Sequence, residues 1–133
     1  MKAKPVLFID DDLIEHKKLE RTFQKLGYSN RLFFANDGKE GLDFLEECSE
    51  LPGLILLDLN MPRMGGNEFL KVVKASERYK AIPIVVITSS SSEKDLKDSL
   101  ENFASGYVVK PIMLSEYEEQ IQTIHKYWEP VIC

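Results

Sequence analysis

Leu54-Ile-Leu-Leu-Asp58-Leu-Asn60-Met-Pro62 is the stretch whose reading decides the fold of this chain. Four consecutive apolar residues do not alternate between core and solvent. They suit a strand of a parallel sheet that helices cover on both faces. Asp58 closes the run, and Pro62, Gly65 and Gly66 mark the loop that follows. The carboxylate therefore stands where a buried strand leaves the sheet, at the edge where open α/β sheets bind ligands. An earlier segment repeats the pattern, with Val6-Leu-Phe-Ile9 running into Asp10, Asp11 and Asp12. Desolvating that much like charge is costly unless a cation compensates. The pattern calls for a metal.

Outward from these two strands, apolar runs alternate with helical stretches along the whole chain. Strands are expected near 5–9, 31–35, 54–58, 83–88 and 106–109. The first helix, about 13–26, places Leu19, Phe23 and Leu26 on one face; the fourth, about 93–103, does so with Leu96, Leu100 and Phe103. In the last helix Tyr117, Ile121, Ile124 and Trp128 follow the helical period, and Ser115 with Glu118 has capping-box spacing. Asp37-Gly38 and the Ser89–Ser92 run punctuate strand-to-helix junctions, with Asp12 and Ser92 suited to N-capping. Five such units with right-handed crossovers predict a doubly wound α/β fold around a five-stranded parallel sheet. In the flavodoxin-like strand order 2-1-3-4-5, the first and third strands are neighbours, so Asp10, Asp11 and Asp58 converge at one edge.

Composition narrows the function classes. A chain of 133 residues fits one domain with a sizeable core. Its 17 Lys and Arg against 22 Asp and Glu leave a net charge of −5, so no basic face is expected for nucleic acid. No long apolar run or leader-like segment argues for a membrane span or a secretion signal. Cys48 and Cys133 lack metal-ligand spacing and are expected as free thiols in a reducing cytoplasm. His16 and His125 stand alone on helices and are expected at the surface.

Two further strand ends carry polar groups. Ile84-Val-Val-Ile-Thr88 ends in a hydroxyl, and Gly106-Tyr107-Val-Val-Lys110-Pro111 ends in an amine. A cation beside carboxylates, a hydroxyl and a lysine suits a phosphoryl group. Mg²⁺ takes one or two carboxylates, water and phosphate oxygens, and a carboxylate can itself accept the phosphoryl group.

With Asp10-Asp-Asp12, Asp58-Leu-Asn-Met-Pro62, Thr88 and Lys110-Pro111 in this order, nearly the whole chain resembles the receiver domains of two-component response regulators. The resemblance implies Asp58 as phosphoacceptor and Asp11 as a direct Mg²⁺ ligand. It implies Asp10 acting beside the ion or through water, and Asn60 lending its backbone carbonyl. Thr88, Lys110 and the backbone of Ser89 would bind phosphoryl oxygens. Tyr107 with Thr88 would form the switch, Asn60 and Ser90 would influence dephosphorylation, and the Lys110-Pro111 bond would often be cis. The expected partners are a histidine kinase or histidine phosphotransfer protein and a downstream protein target. The expected setting is the cytoplasm, with the receiver spanning 1–133 and no output domain. The chain would catalyse only its own phosphorylation and dephosphorylation. Ile124-His-Lys-Tyr-Trp128 and Asp58-Leu-Asn-Met-Pro62-Arg-Met-Gly-Gly are similar to the small regulators that partner phytochrome-like kinases.

Two rivals remain at this point. Asp10-Asp-Asp12-Leu-Ile14 loosely resembles the signature of haloacid dehalogenase-type phosphatases, which would make Asp10 the nucleophile. That reading leaves the Asp58 segment unexplained and finds no acidic pair after Lys110. A flavodoxin-type flavin binder would need a hydroxyl-rich loop after the first strand, and none is present. The last helix carries more apolar surface (Tyr117, Ile121, Ile124, Tyr127, Trp128) than one stripe needs. A homodimer or partner face formed by the fourth helix, fifth strand and fifth helix is therefore expected.

Overall fold

In the computed structural model, which describes residues 3–133, strands and helices alternate throughout. The order is β1 (Val6–Ile9), α1 (Leu13–Leu26), β2 (Leu32–Ala35), α2 (Gly38–Glu47), β3 (Leu54–Leu57), α3 (Gly66–Lys74), β4 (Ile84–Thr88), α4 (Glu93–Glu101), β5 (Gly106–Val109) and α5 (Leu114–Ile132). All strand pairs are parallel, in the order β2-β1-β3-β4-β5. Ile9 is level with Leu57, so Asp10 and Asp58 leave the sheet side by side. Thr88 is level with Val109, which puts Lys110 at the same edge.

Each central strand is buried on both faces, as its unbroken apolar run requires. Val6, Phe8, Leu54, Leu56, Val85 and Ile87 point towards α1 and α5, where Leu19, Phe23, Tyr117 and Ile121 meet them. Leu7, Ile9, Ile55, Leu57, Ile84 and Val86 point the other way, against Leu45 of α2 and Phe69, Leu70 and Val73 of α3. Truncating one of these to alanine costs about 2–5 kcal/mol, so either layer alone can decide whether the chain folds.

Helix ends follow local chemistry. The Asp12 carboxylate accepts from the Ile14 N–H at 2.9 Å and caps α1. Gly27, with φ of 74°, closes the same helix in the left-handed conformation that glycine adopts without strain. Ser92 caps α4 by accepting from the Asp95 N–H.

Four expectations are corrected. Helix α5 begins at Leu114, and the Tyr117 N–H already bonds the Met113 carbonyl at 3.1 Å. Ser115 therefore lies inside the first turn, and no capping box with Glu118 forms. The stripe Leu96, Leu100 and Phe103 faces solvent rather than the core, Phe103 being 72 % exposed. The small residue Ser99 is turned inward instead, and its hydroxyl donates to Asn67 of α3 at 3.3 Å. Both histidines are buried. His16 stacks on Phe34 and donates its Nε2–H to the Asp10 carbonyl at 2.6 Å. His125 stacks on Tyr28 with ring centroids 3.5 Å apart and donates to Asn30 Oδ1 at 2.7 Å. In each case aromatic neighbours cover the ring and one acceptor satisfies its N–H, so a histidine is tolerated inside. Cys48 and Cys133 are unpaired.

Candidate functional site

The carboxyl edge of the sheet gathers groups from four strand ends. One oxygen from each of Asp10, Asp11 and Asp58 lies within 4.8 Å of the others. Asp10 and Asp58 are buried, and Asp11 is exposed, leaving one side of the cluster open to water. Backbone bonds hold the two buried residues: Asp10 N–H to the Ala35 carbonyl at 3.0 Å, and Asp58 N–H to the Ile9 carbonyl at 2.9 Å. The loop after Asp58 folds back closely, with Gly66 N–H donating to the Leu59 carbonyl at 3.0 Å. A Cβ at Gly66 would stand 2.5 Å from the Asp58 carbonyl oxygen, so glycine is needed where α3 starts against this strand end.

Lys110 faces the cluster. Its Nζ donates to Asp10 Oδ2 at 2.7 Å and lies 3.7 Å from Glu15 Oε1. Burial pulls the Lys110 ammonium towards neutrality, but the Asp10 hydrogen bond and the charges of Asp10, Asp58 and Glu15 outweigh it and raise its pKa. For Asp58, burial pushes the pKa up and Asp10 adds to that push. Lys110, the Thr88 hydroxyl and the Leu59 N–H offset only part of it, so the Asp58 pKa is raised from its ordinary value. Three carboxylates against one ammonium leave excess negative charge at an all-oxygen, half-open site. That donor set fits a hard divalent cation.

Thr88 is fully buried beside Asp58, and its Oγ1 accepts from the Ser90 N–H at 3.3 Å. The Tyr107 ring is half-buried, and its hydroxyl donates to the Ser90 carbonyl at 2.9 Å. The β5 aromatic is thereby tied to the loop that follows Thr88. Asn60 and Ser89 are exposed, each in the loop directly after its strand. No cis peptide occurs among the described residues, so Lys110-Pro111 is trans.

Two features escaped the sequence reading. Glu15 reaches Lys110 from the first turn of α1, a contact distant in sequence that no local spacing signals. Arg63, in the loop after Asp58, pairs with buried Asp37 at 2.6 Å and with Glu40 at 3.6 Å. Arg63 has φ of 60°, a left-handed conformation for a non-glycine residue, and Gly38 N–H donates to the Met64 carbonyl at 3.0 Å. These contacts fasten the site loop to the start of α2.

Residues 6–122 match the response regulator receiver domain family. The chain is 35 % identical over 127 residues to the probable methanogenesis regulatory protein FilR2 of Methanothrix harundinacea, spanning 92 % of this chain and 82 % of that protein. It is 30 % identical over 130 residues to the response regulator Rcp1 of Synechocystis, spanning 94 % and 88 %. The crystal structure of the phosphorylated cyanobacterial phytochrome response regulator RcpA superposes with a TM-score of 0.89 at 26 % identity, over 95 % of this chain and 94 % of that one. The Mn²⁺-bound form of Rcp1 superposes with a TM-score of 0.86 at 30 % identity, over 94 % of each chain.

The phosphatase alternative is not supported. Asp10, its nucleophile, is 1 % exposed and has both oxygens engaged, Oδ1 by the Asp12 N–H at 2.9 Å and Oδ2 by Lys110. A shared fold alone would leave function open. A family match running from β1 into α5, together with this strand order and acidic edge, does not leave it open: the chain belongs to the receiver domains of two-component response regulators, the phosphoryl-accepting modules of these signalling systems.

Proposed function

We propose that Asp58 accepts the phosphoryl group, with Mg²⁺ as the cation and a histidine kinase or histidine phosphotransfer protein as donor. The observation that carries this reading is the division of labour at the sheet edge. Lys110 engages Asp10, while Asp58 keeps a desolvated carboxylate between that pair and Thr88. An Asp58 oxygen attacks phosphorus, the P–N bond to the donor imidazole breaks, and the imidazole leaves neutral after taking up a proton. Water later attacks the acyl phosphate and returns the carboxylate and inorganic phosphate. The chain thus catalyses only its own modification.

Asp11, Asp58 and the Asn60 carbonyl would hold Mg²⁺, with Asp10 acting beside it or through water. When bound, the ion neutralises charge on the transferring group and orients its oxygens. Lys110, the Thr88 hydroxyl and the Ser89 N–H take phosphoryl oxygens. Drawing Thr88 towards them changes the space open to Tyr107, whose hydroxyl then exchanges its Ser90 bond for another position. Output passes to a protein target or a phosphorelay. The similar structure RcpA, named as a phytochrome response regulator, favours a phytochrome-like kinase as the donor. Tyr117, Ile121 and Ile124 of α5 lie in the core rather than on a surplus apolar face, and exposed Leu96, Leu100, Phe103, Val109, Ile112 and Tyr127 instead support self-association through α4, β5 and α5. No described helix is long and apolar enough to cross a membrane, and the free cysteines suit action in the cytoplasm.

Incubation with acetyl phosphate and Mg²⁺ tests the reading. Wild type should take up one phosphoryl group per chain, resolved by phosphate-affinity electrophoresis, and Asp58→Asn should take up none. Equal labelling of the variant would remove Asp58 from this role.

A further inference from the structure

Glu15 is a carboxylate that the proposed chemistry does not use. Its plain explanation is helix electrostatics. An acidic residue in the first turn of α1 meets the positive end of the helix dipole, and Glu15 with Lys18 forms an i,i+3 pair. Three observations go further. The side chain is 12 % exposed, and its Oε1 is buried with no hydrogen-bond partner, an expensive arrangement for a charged oxygen. That same oxygen lies 3.7 Å from Lys110 Nζ, just beyond hydrogen-bond reach. The other oxygen is fixed by Lys18 at 2.9 Å, and the Lys18 ammonium in turn sits 4.4 Å from the centre of the Tyr117 ring. The carboxylate is anchored from behind, with a vacant acceptor aimed at an ammonium that Asp10 holds.

We propose that Glu15 is a positioning residue of the phosphoryl site, a second seat for the Lys110 ammonium that competes with the incoming phosphoryl group. The proposal rests on the receiver reading of Lys110 given above. A divalent cation among Asp10, Asp11 and Asp58 draws on the charge of Asp10 and repels the nearby ammonium. Glu15 is not part of that cluster, so it keeps its charge and holds Lys110 inside the site rather than releasing it to solvent. A phosphoryl group must then displace a carboxylate to reach the lysine. Glu15 thereby sets how readily the loaded site accepts an anion, without itself binding the cation.

The test is beryllofluoride, a phosphoryl mimic, titrated in saturating Mg²⁺ and followed by ¹⁹F NMR, with Mg²⁺ affinity measured separately by calorimetry. Glu15→Gln keeps shape and the contact to Lys18 but removes the competing charge. It should bind beryllofluoride about fivefold more tightly, the worth of one modest ion pair, and change Mg²⁺ affinity by less than about twofold. In a Lys110→Ala background the same substitution should yield no gain, because the competition acts through the lysine. Unchanged or weaker binding in Glu15→Gln overturns the proposal. So does a gain that survives in Lys110→Ala, since that would be general charge relief. If Lys110→Ala binds the mimic as tightly as wild type, or wild type does not bind it at all, the phosphoryl-site reading itself has failed.

Discussion

Asp58→Asn should make the metal-free protein more stable at neutral pH, although it removes a charge that faces a lysine. Burial raises the Asp58 pKa, and Asp10 raises it further, beyond what Lys110 and Thr88 restore. The folded chain therefore holds the Asp58 proton more tightly than the unfolded chain does. Wherever both states are ionised, the folded state carries the penalty. Each unit by which the folded pKa exceeds the ordinary 3.8 costs about 1.4 kcal/mol before screening by water on the open Asp11 side reduces it. For a chain of this length that corresponds to roughly 3–5 °C in melting temperature per unit. The advantage of the variant should be full above the raised pKa, shrink as pH falls through it, and vanish below 3.8, where both states are protonated. Mg²⁺ should reverse the ranking. A ligand at a hundred times its Kd stabilises wild type by about 2.7 kcal/mol, whereas the variant has lost a ligand oxygen's charge. Melting curves by circular dichroism across a pH series, with and without Mg²⁺, decide the matter. An Asn variant that melts below wild type at pH 7 without divalent cation would refute the reasoning, because it would mean that Lys110 already neutralises the site.

Three more outcomes follow from named contacts. Burial raises the Asp37 pKa, but the Arg63 hydrogen bond, the Glu40 and Lys39 N–H groups and the Arg63 charge outweigh it and hold the carboxyl below its ordinary 3.8. That stabilisation is present above 3.8 and lost as pH falls through the depressed value, so Arg63→Ala should lower the melting temperature at pH 7 and converge on wild type in strong acid; parallel curves would count against the clamp. Burial holds His125 below its ordinary 6.5, so the unfolded chain takes the proton first and wild type loses stability as pH falls below 6.5. His125→Gln keeps a donor for Asn30 Oδ1 and should flatten that slope in thermal melts; an unchanged slope would assign it to another group. Leu100→Glu, on the exposed face of α4, should weaken self-association of the beryllofluoride-loaded protein in sedimentation velocity, and wild type that stays monomeric at high concentration with and without the mimic would end the dimer reading.

The parts legible in the sequence are those written in local periodicity. The unbroken runs Val6–Ile9 and Leu54–Leu57 form strands buried on both sides, and their polar ends meet at one edge because β1 and β3 are neighbours. What escaped depends on contacts distant in sequence. His125 is buried because Asn30, 95 residues away, offers an acceptor, and no window around His125 contains that information. The amphipathic stripe of α4 is real, yet its position beside α3 and β5 turns Ser99 inward and leaves Leu100 outside. The capping-box spacing at Ser115 was out of register with a helix that starts at Leu114. Glu15 and Arg63 look like ordinary surface charges until Lys110 and Asp37 are brought to them by the fold.

The central claim is that the phosphoryl group rides on Asp58, and locating it chemically is the most direct test. Borohydride reduces an aspartyl phosphate to homoserine, which peptide sequencing by mass spectrometry can place. Protein treated with acetyl phosphate and Mg²⁺ and then reduced should carry homoserine at position 58 and nowhere else. Homoserine at position 10 would contradict the account and move the nucleophile to the neighbouring strand.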